Sequence, residues 1–417
     1  MNKHVLKIIW NERKSNIALI IELFLISTFL WFVIDRAYPA LHTYLKPLGY
    51  SIDNIYIITL DDMSELHPDY NPDITMDDRV EAIQTIVDRI RNHPEVNRVA
   101  VSIHGRPETK SKYFNQIYLD TLPLKAAWRV MSPEAVEMYQ FEEVNGSNSR
   151  LIQALRDGQI IVNEGIAKII EETGVSAIGT DLWDNPIQEE SATAIGAIGA
   201  IAKDSRYTRF SNVEPFYITP LTHTDLAEVF WIGMVEISVV PKSGVGRGFA
   251  ERFREEMTPR LRIGNMEMSD IFAVGDANTF ESRTFEKTVK INGYLLLFLL
   301  LNILLGISGV FWYRTQKRRG EIGLRIALGD TPKGVLRLYY REGIIIFTLA
   351  FLLTIAMIAI FFRMEILDTD IEPLNTLRFV AVMVTSYLVV TGVIVLSIWL
   401  PARRILKISP AETLKEE

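Results

Sequence analysis

The chain has 417 residues, 48% of them hydrophobic, and a mean hydropathy of +0.15, a balance too apolar for an ordinary soluble enzyme, so a membrane is the first expectation. Its formal charge of −7 gives no reason to expect nucleic-acid binding, which needs a clustered basic face. With no cysteine, structural disulfides, thiol catalysis and Cys-based zinc sites are ruled out, while the compartment stays open.

Residues 1–16 carry Lys3, Lys7, Arg13 and Lys14 and lead into 17–34, the first of four long runs nearly free of charge. A cleaved signal peptide would share the basic start. This run is long for one, stays rich in Leu, Phe and Trp to its end, and meets Asp35-Arg36-Ala37-Tyr38-Pro39 with no small-x-small site, so a retained anchor is expected. Glu22 lies about one turn inside the run. It is read as a side chain facing the bundle or snorkelling to the interface, the other reading being a functional intramembrane acid.

Residues 35–290 cannot be a linker, because they alternate strand patterns, helical patterns and turn punctuation. Strands are predicted at 52–60 and 96–103, flanking an amphipathic helix over 76–92 with apolar Val80, Ile83, Ile86, Val87 and Ile90. The acidic stretch Asp61, Asp62, Asp69, Asp73, Asp77 and Asp78 lacks the order of a calcium loop and reads as a solvated loop and helix start. Strands at 159–163 and 194–202 and a helix at 164–172 suggest a smaller inserted subdomain. A strand at 232–240 and a helix at 249–257 then repeat the opening pattern. Gly244-Val245-Gly246-Arg247-Gly248 between them reads as a glycine turn, since its spacing is not that of a dinucleotide fingerprint. The expected fold is a large α+β domain with mixed sheets, arranged as two similar lobes and an inserted subdomain.

Three further apolar runs follow at 291–313, 343–362 and 379–400, each near the roughly 20 residues that a helix needs to cross the hydrocarbon core. Basic residues orient them. Four lie in 1–16, eight in 314–342 and four in 401–417, which places these segments, and both termini, in the cytoplasm. The loop 363–378 and the domain 35–290 then lie outside. That domain holds 26 Lys and Arg against 39 Asp and Glu, a net −13. The chain is thus expected to be a four-helix integral membrane protein with a large extracytoplasmic domain.

Catalytic patterns are missing. No G-x-x-x-x-G-K-[ST] cradle for nucleotide phosphates occurs, and no G-x-S-x-G elbow. The six histidines, at 4, 42, 67, 93, 104 and 223, show no i,i+3 or i,i+4 pairing, so no catalytic zinc is expected. The informative segment is 317–333, Lys-Arg-Arg-Gly-Glu-Ile-Gly-Leu-Arg-Ile-Ala-Leu-Gly-Asp-Thr-Pro-Lys. Its apolar run is too short to span, Gly329 is a stop signal and Pro332 follows, which gives a short amphipathic helix at the cytoplasmic face. The bland reading is a basic loop resting on lipid. The sharper one is a knob seated in a partner's groove, with small Gly323, Ala327 and Gly329 permitting close approach and Glu321 and Arg325 paired at i,i+4.

This segment closely resembles the K/R-R-x-E-I-G-x-R-x-A-L-G-A-T signature of the MacB/FtsX family of ABC transporter permeases. Asp330 stands where Ala is usual and Gly320 where a charge is common. The tail from Pro401 to Leu414 resembles the family ending P-A-x-x-A-x-x-x-x-P-x-E-A-L-R, with Lys415 at the Arg position. In the large domain, Val130-Met131-Ser132-Pro133-Glu134, Ile161-Val162-Asn163-Glu164 and the stretch from Ile198 to Tyr207 resemble further family segments. Residues 50–125 match thinly.

The resemblance implies a non-catalytic subunit of the bacterial inner membrane that dimerises with a second copy or a paralogous permease. A separate cytoplasmic ABC ATPase would bind ATP and Mg. It would dock on a coupling helix through Arg319, Glu321, Ile322, Gly323, Arg325, Ala327, Leu328 and Gly329. No cofactor or metal is expected in this chain. Such permeases relay ATP-driven closure to a periplasmic domain, here for efflux of periplasmic cargo with an adaptor and an outer-membrane channel. Lipoprotein release, non-transport regulation of a periplasmic partner, and a membrane-anchored binding protein or sensor are the alternatives.

Overall fold

A computed structural model describes residues 13–109, 111–120, 122–184, 193–209, 211–229, 231–246, 248–276, 280–317, 320, 324, 328–364 and 375–405. Its contacts divide the chain into a helical unit, Met1–Tyr44 with Thr284–Glu417, and a sheet unit, Leu45–Arg283. The helical unit opens with α1, Arg13–Leu45, whose 33 residues run well past the apolar stretch 17–34 that foretold it.

The sheet unit begins with β1 (Tyr56–Asp62), α2 (Met76–Arg91) and β2 (Val96–Ile103). Thr75 and Asp78 start α2 with a reciprocal capping box, in which Thr75 Oγ1 accepts from Asp78 N at 3.2 Å and Asp78 Oδ2 from Thr75 N at 2.9 Å. Its expected apolar stripe, Val80, Ile83, Ile86, Val87 and Ile90, is buried. Next come β3 (Tyr113–Leu119), β4 (Leu122–Met131), α3 (Pro133–Met138), α4 (Ser149–Arg156), β5 (Ile160–Asn163), α5 (Glu164–Glu172), β6 (Asp181–Asp184), β7 (Thr193–Ala202), β8 (Phe216–Pro220) and α6 (His223–Ala227). The unit closes with β9 (Val235–Pro241), α7 (Phe249–Met257) and β10 (Met266–Ala273).

The two β-α-β patterns do not build two lobes. Their strands interleave in the order β10-β1-β9-β2, every pair antiparallel, as a split β-α-β-β-α-β layer. The physical reason is the shared core. Ile83, Ile86 and Ile90 of α2 and Phe249, Phe253 and Met257 of α7 bury against Ile58, Val99 and Ile237 in one cluster, so each half covers apolar surface that the other would leave wet.

The strands between β2 and β9 form a second arrangement on the same sheet. From β4 the order runs β3-β6-β7-β5-β8, and β8 pairs back in parallel with β4, which closes a six-membered ring of strands. Closure between β3 and β6 rests on one pair, Tyr118 with Trp183. Ile117, Leu124, Ala126, Ile160, Val162 and Ile198 fill a core of this ring. β4 also pairs with β2 through Ser102–Met131 and Ile103–Val130, so one strand belongs to both arrangements. The sheet is mixed, with β4–β8 and β5–β7 parallel.

The helical unit resumes with α8 (Phe280–Lys317), α9 (Pro332–Arg363) and α10 (Thr376–Ile405), of 38, 32 and 30 residues. All four long helices are long and apolar enough to cross a membrane, over Asn16–Leu45, Val289–Val310, Lys333–Arg363 and Thr376–Trp399. They exceed the apolar runs because helical hydrogen bonding continues into the charged flanks, where side chains reach water. Leu23, Leu30 and Trp31 of α1, Ile303 and Ile307 of α8, Phe347 and Ala350 of α9, and Val390 and Ile394 of α10 form their common core.

Candidate functional site

Of the residues expected to couple to an ATPase, Arg319, Glu321, Ile322, Gly323, Arg325 and Ala327 lie outside the described residues. Leu328 and Gly329 are described, and so are their neighbours Gly320 and Leu324, both helical. The Leu328 amide donates to the Leu324 carbonyl at 2.9 Å, a last helical bond. Leu324 and Leu328 are exposed. Gly329 follows with φ +98°, a left-handed stop that a side chain resists even though open space surrounds it. Asp330 Oδ1 accepts the Thr331 amide at 2.8 Å, and Thr331 Oγ1 accepts the Gly334 amide at 3.1 Å to cap α9, with Pro332 in its first turn. Pro332 therefore starts the next helix rather than merely ending the previous one.

The helical unit also holds polar contacts that pattern reading missed. Arg378 donates to Asp35 through Nε at 3.0 Å and Nη2 at 2.7 Å, a bidentate pair with both residues buried. It joins the later part of α1 to the start of α10. Ser27 and Thr354, both buried, share a hydrogen bond of 2.7 Å between α1 and α9. Glu22, half-buried, packs against Gly306 of α8, where an added Cβ would stand 2.5 Å from its Oε1. Gly309, one turn on, faces open space. The only sequence signal for the Asp35–Arg378 pair was opposite charges at the matching ends of two apolar runs.

In the sheet unit two of the segments that resemble the family, Ile161–Glu164 and Ile198–Tyr207, meet at a structural joint. Asn163 caps α5 and donates from Nδ2 to Asp204 Oδ1 at 2.7 Å, while its Oδ1 accepts the Phe216 amide at 3.1 Å. Glu164 Oε2 accepts the Asp204 amide at 3.0 Å. Arg206 donates to the carbonyls of Lys46 and Pro47, the latter at 3.1 Å, and the Tyr207 hydroxyl donates to the His104 carbonyl. These residues hold the chain in place rather than present reactive groups.

Where β2, β4 and β9 meet, charges are buried. Glu236 accepts from Ser102 Oγ at 2.8 Å and from the amides of Gly105 and Arg106 at 3.0 and 2.8 Å, with Arg106 Nε 3.4 Å away. Arg129 lies between the rings of Tyr207 and Phe216, 4.3 and 4.2 Å from their centroids, and burial pulls its pKa down. Burial pushes the phenols of Tyr50, Tyr139, Tyr207 and Tyr217 well above their usual range, the nearby Glu108 carboxylate adding to the effect at Tyr50. The signal for these charges was a lone Glu or Arg inside an otherwise apolar strand. The acidic stretch has protein partners of its own: Asp62 pairs with Arg79 at 3.2 Å, and Asp78 serves the α2 cap, whose Thr75 bonds hold its carboxyl below the usual value. Among the described residues no three His, Asp or Glu side chains are grouped to hold a metal ion.

Residues 293–410, which take in most of α8 and all of the connection to α10, match the family described as FtsX-like permease C-terminal. Curated proteins give no match. Three solved structures are similar to the chain at low identity. A domain of a permease protein from Porphyromonas gingivalis is 17% identical, covering 57% of this chain and 98% of that one with a TM-score of 0.34. The periplasmic region of MacB from Actinobacillus actinomycetemcomitans is 11% identical, covering 58% and 97% with a TM-score of 0.34. The extracellular domain of YknZ, a noncanonic ABC-type transporter from Gram-positive bacteria, is 12% identical, covering 51% and 100% with a TM-score of 0.31. By this match, residues 293–410 are similar to the C-terminal region of FtsX-like permeases.

Proposed function

We propose that this chain is the permease subunit of an ABC transporter that relays ATP-driven closure in a separate cytoplasmic ATPase to its own periplasmic domain, for export of periplasmic cargo. The observation that carries the reading is the family match across α8, α9 and α10 and the connection between α8 and α9. ATP and Mg belong to the partner, and this chain contributes docking and motion. Arg319, Glu321, Ile322, Gly323, Arg325, Ala327, Leu328 and Gly329 form the coupling element. A second copy or a paralogous permease completes the dimer, with an adaptor and an outer-membrane channel beyond it.

Two features support transmission through the helices. The capped turn at Gly329–Pro332 ties the coupling element to α9 without slack, and the Asp35–Arg378 pair locks α1 to α10. A partner can shift the bundle only by binding one of its packed arrangements more tightly than the other. Co-purification of the full chain with a cytoplasmic ABC ATPase from the same cells, followed by ATP hydrolysis in lipid, tests the reading. The wild-type complex is expected to form, and Glu321→Ala with Arg325→Ala to lose the ATPase or its coupled activity. If the wild type retains no ATPase, the chain is a membrane-anchored binding module instead.

A further inference from the structure

The ring of strands β4-β3-β6-β7-β5-β8 carries a cleft of about 890 Å³, within the size range of small-molecule sites. Its lining holds four aromatic side chains, of which Tyr118 and Tyr217 are buried and Tyr113 and Trp128 are the more accessible, with a fringe of neutral hydrogen-bonding side chains that includes Asn115, Gln116, Thr219 and Thr222. Tyr113 is 53% exposed. Behind it His104 is stacked at 5.9 Å and 19°, itself bonded through Nδ1 to Ser111 Oγ at 2.7 Å. Trp128 meets Tyr113 edge to face at 6.1 Å, and its indole N–H donates to Thr219 Oγ1 at 2.9 Å. Asn115 Nδ2 donates to the Tyr217 hydroxyl at 3.0 Å and Gln116 Nε2 to the Tyr118 hydroxyl at 2.8 Å. Rings and amides are thus fixed before any ligand arrives, which lowers the entropy cost of binding.

The chemistry of the lining selects the ligand class. Among the described lining residues there are two carboxylates, Asp184 and Asp225, and no lysine or arginine, so an anion finds no counter-charge. A purely apolar ligand would strip water from amides and hydroxyls without replacing it. What suits these groups is a molecule with flat C–H faces for the two more accessible rings and neutral hydroxyls around its rim for the amides and carboxylates, which describes a pyranose. The cleft is larger than one sugar ring. We infer that it binds a neutral oligosaccharide, with Tyr113 and Trp128 as stacking platforms and Asn115 and Gln116 reading the hydroxyls. An extended peptide is less suited, because it is recognised chiefly through main-chain groups of a strand edge, whereas the polar groups gathered here are side chains. The inference is independent of the permease reading.

Isothermal titration of the full chain in detergent with cellotetraose, maltotetraose and chitotetraose tests it, alongside pull-down on cellulose and chitin beads. Saturable binding of at least one tetrasaccharide is expected, weakened about tenfold or more in Tyr113→Ala, a change at an exposed ring that leaves the core intact. Trp128→Phe should keep measurable binding where Trp128→Ala loses it. Retention on beads without binding of soluble sugar would assign the site to a polymeric glycan, provided Tyr113→Ala abolishes it. Absence of both, binding indifferent to Tyr113→Ala, or saturation by penta-alanine in place of the sugars would overturn the proposal.

Discussion

Asp35 and Arg378 show how much rests on single side chains in the helical unit. Each is buried, and two short bonds join them, so removing Arg378 leaves the Asp35 carboxylate without this counter-ion and removing Asp35 takes a bidentate acceptor from the Arg378 guanidinium. Asp35→Ala or Arg378→Ala is expected to cost about 3–5 kcal/mol, read as a lowered melting temperature of the detergent-solubilised chain. Asp35→Leu combined with Arg378→Met should recover most of that loss, because a well-packed apolar pair avoids the desolvation of two ions. Melting temperatures unchanged in both single variants would show that the pair adds nothing. Neither residue stands out as part of a motif, since a charge at the end of an apolar run looks like ordinary interfacial flanking until the fold brings two such ends together.

At the scale of elements, the connection from Leu328 to Pro332 is where local sequence and local structure agree most closely. A left-handed glycine, an aspartate bonded to the next amide, a threonine cap and a proline in the first turn each favour the same sharp reversal. Thr331→Ala is expected to weaken the start of α9 by about 1 kcal/mol. Hydrogen exchange at the Gly334 amide, which loses its side-chain acceptor and keeps only the Thr331 carbonyl at 2.8 Å, should accelerate while amides in the middle of α9 stay protected. Gly329→Ala should cost a similar amount, about 1 kcal/mol, through its positive φ alone. If coupling runs through this turn, both variants should also lower ATP hydrolysis by the reconstituted complex. Unaltered exchange at Gly334 would mean the cap does not hold the helix start.

At the scale of the whole molecule, the buried phenols of the sheet unit set its alkaline limit. Below about pH 10 the tyrosines are neutral whether folded or unfolded, so they impose no pH dependence. Above it the unfolded chain releases their protons, while Tyr50, Tyr139, Tyr207 and Tyr217 keep theirs in the fold. The unfolded state then binds fewer protons, and stability falls by about 1.4 kcal/mol per tyrosine per pH unit. Unfolding followed by circular dichroism should coincide with the rise in phenolate absorbance. Phenolate that develops while the fold persists would show that these rings are open to water. The sequence by itself determined the four long helices, the acidic domain between the first two, α2 with its apolar stripe, α7 and five of the ten described strands, β1, β2, β5, β7 and β9. These depend on local periodicity and on runs of apolar side chains. Only the tertiary structure decided that the two β-α-β patterns interleave in one sheet, that β8 returns to β4 to close a ring, and that Glu236, Arg129, Asp35 and Arg378 are buried in it or among the helices. Strand order and the partner of a buried charge depend on residues far apart in the chain, and periodicity along the chain carries no record of such pairings.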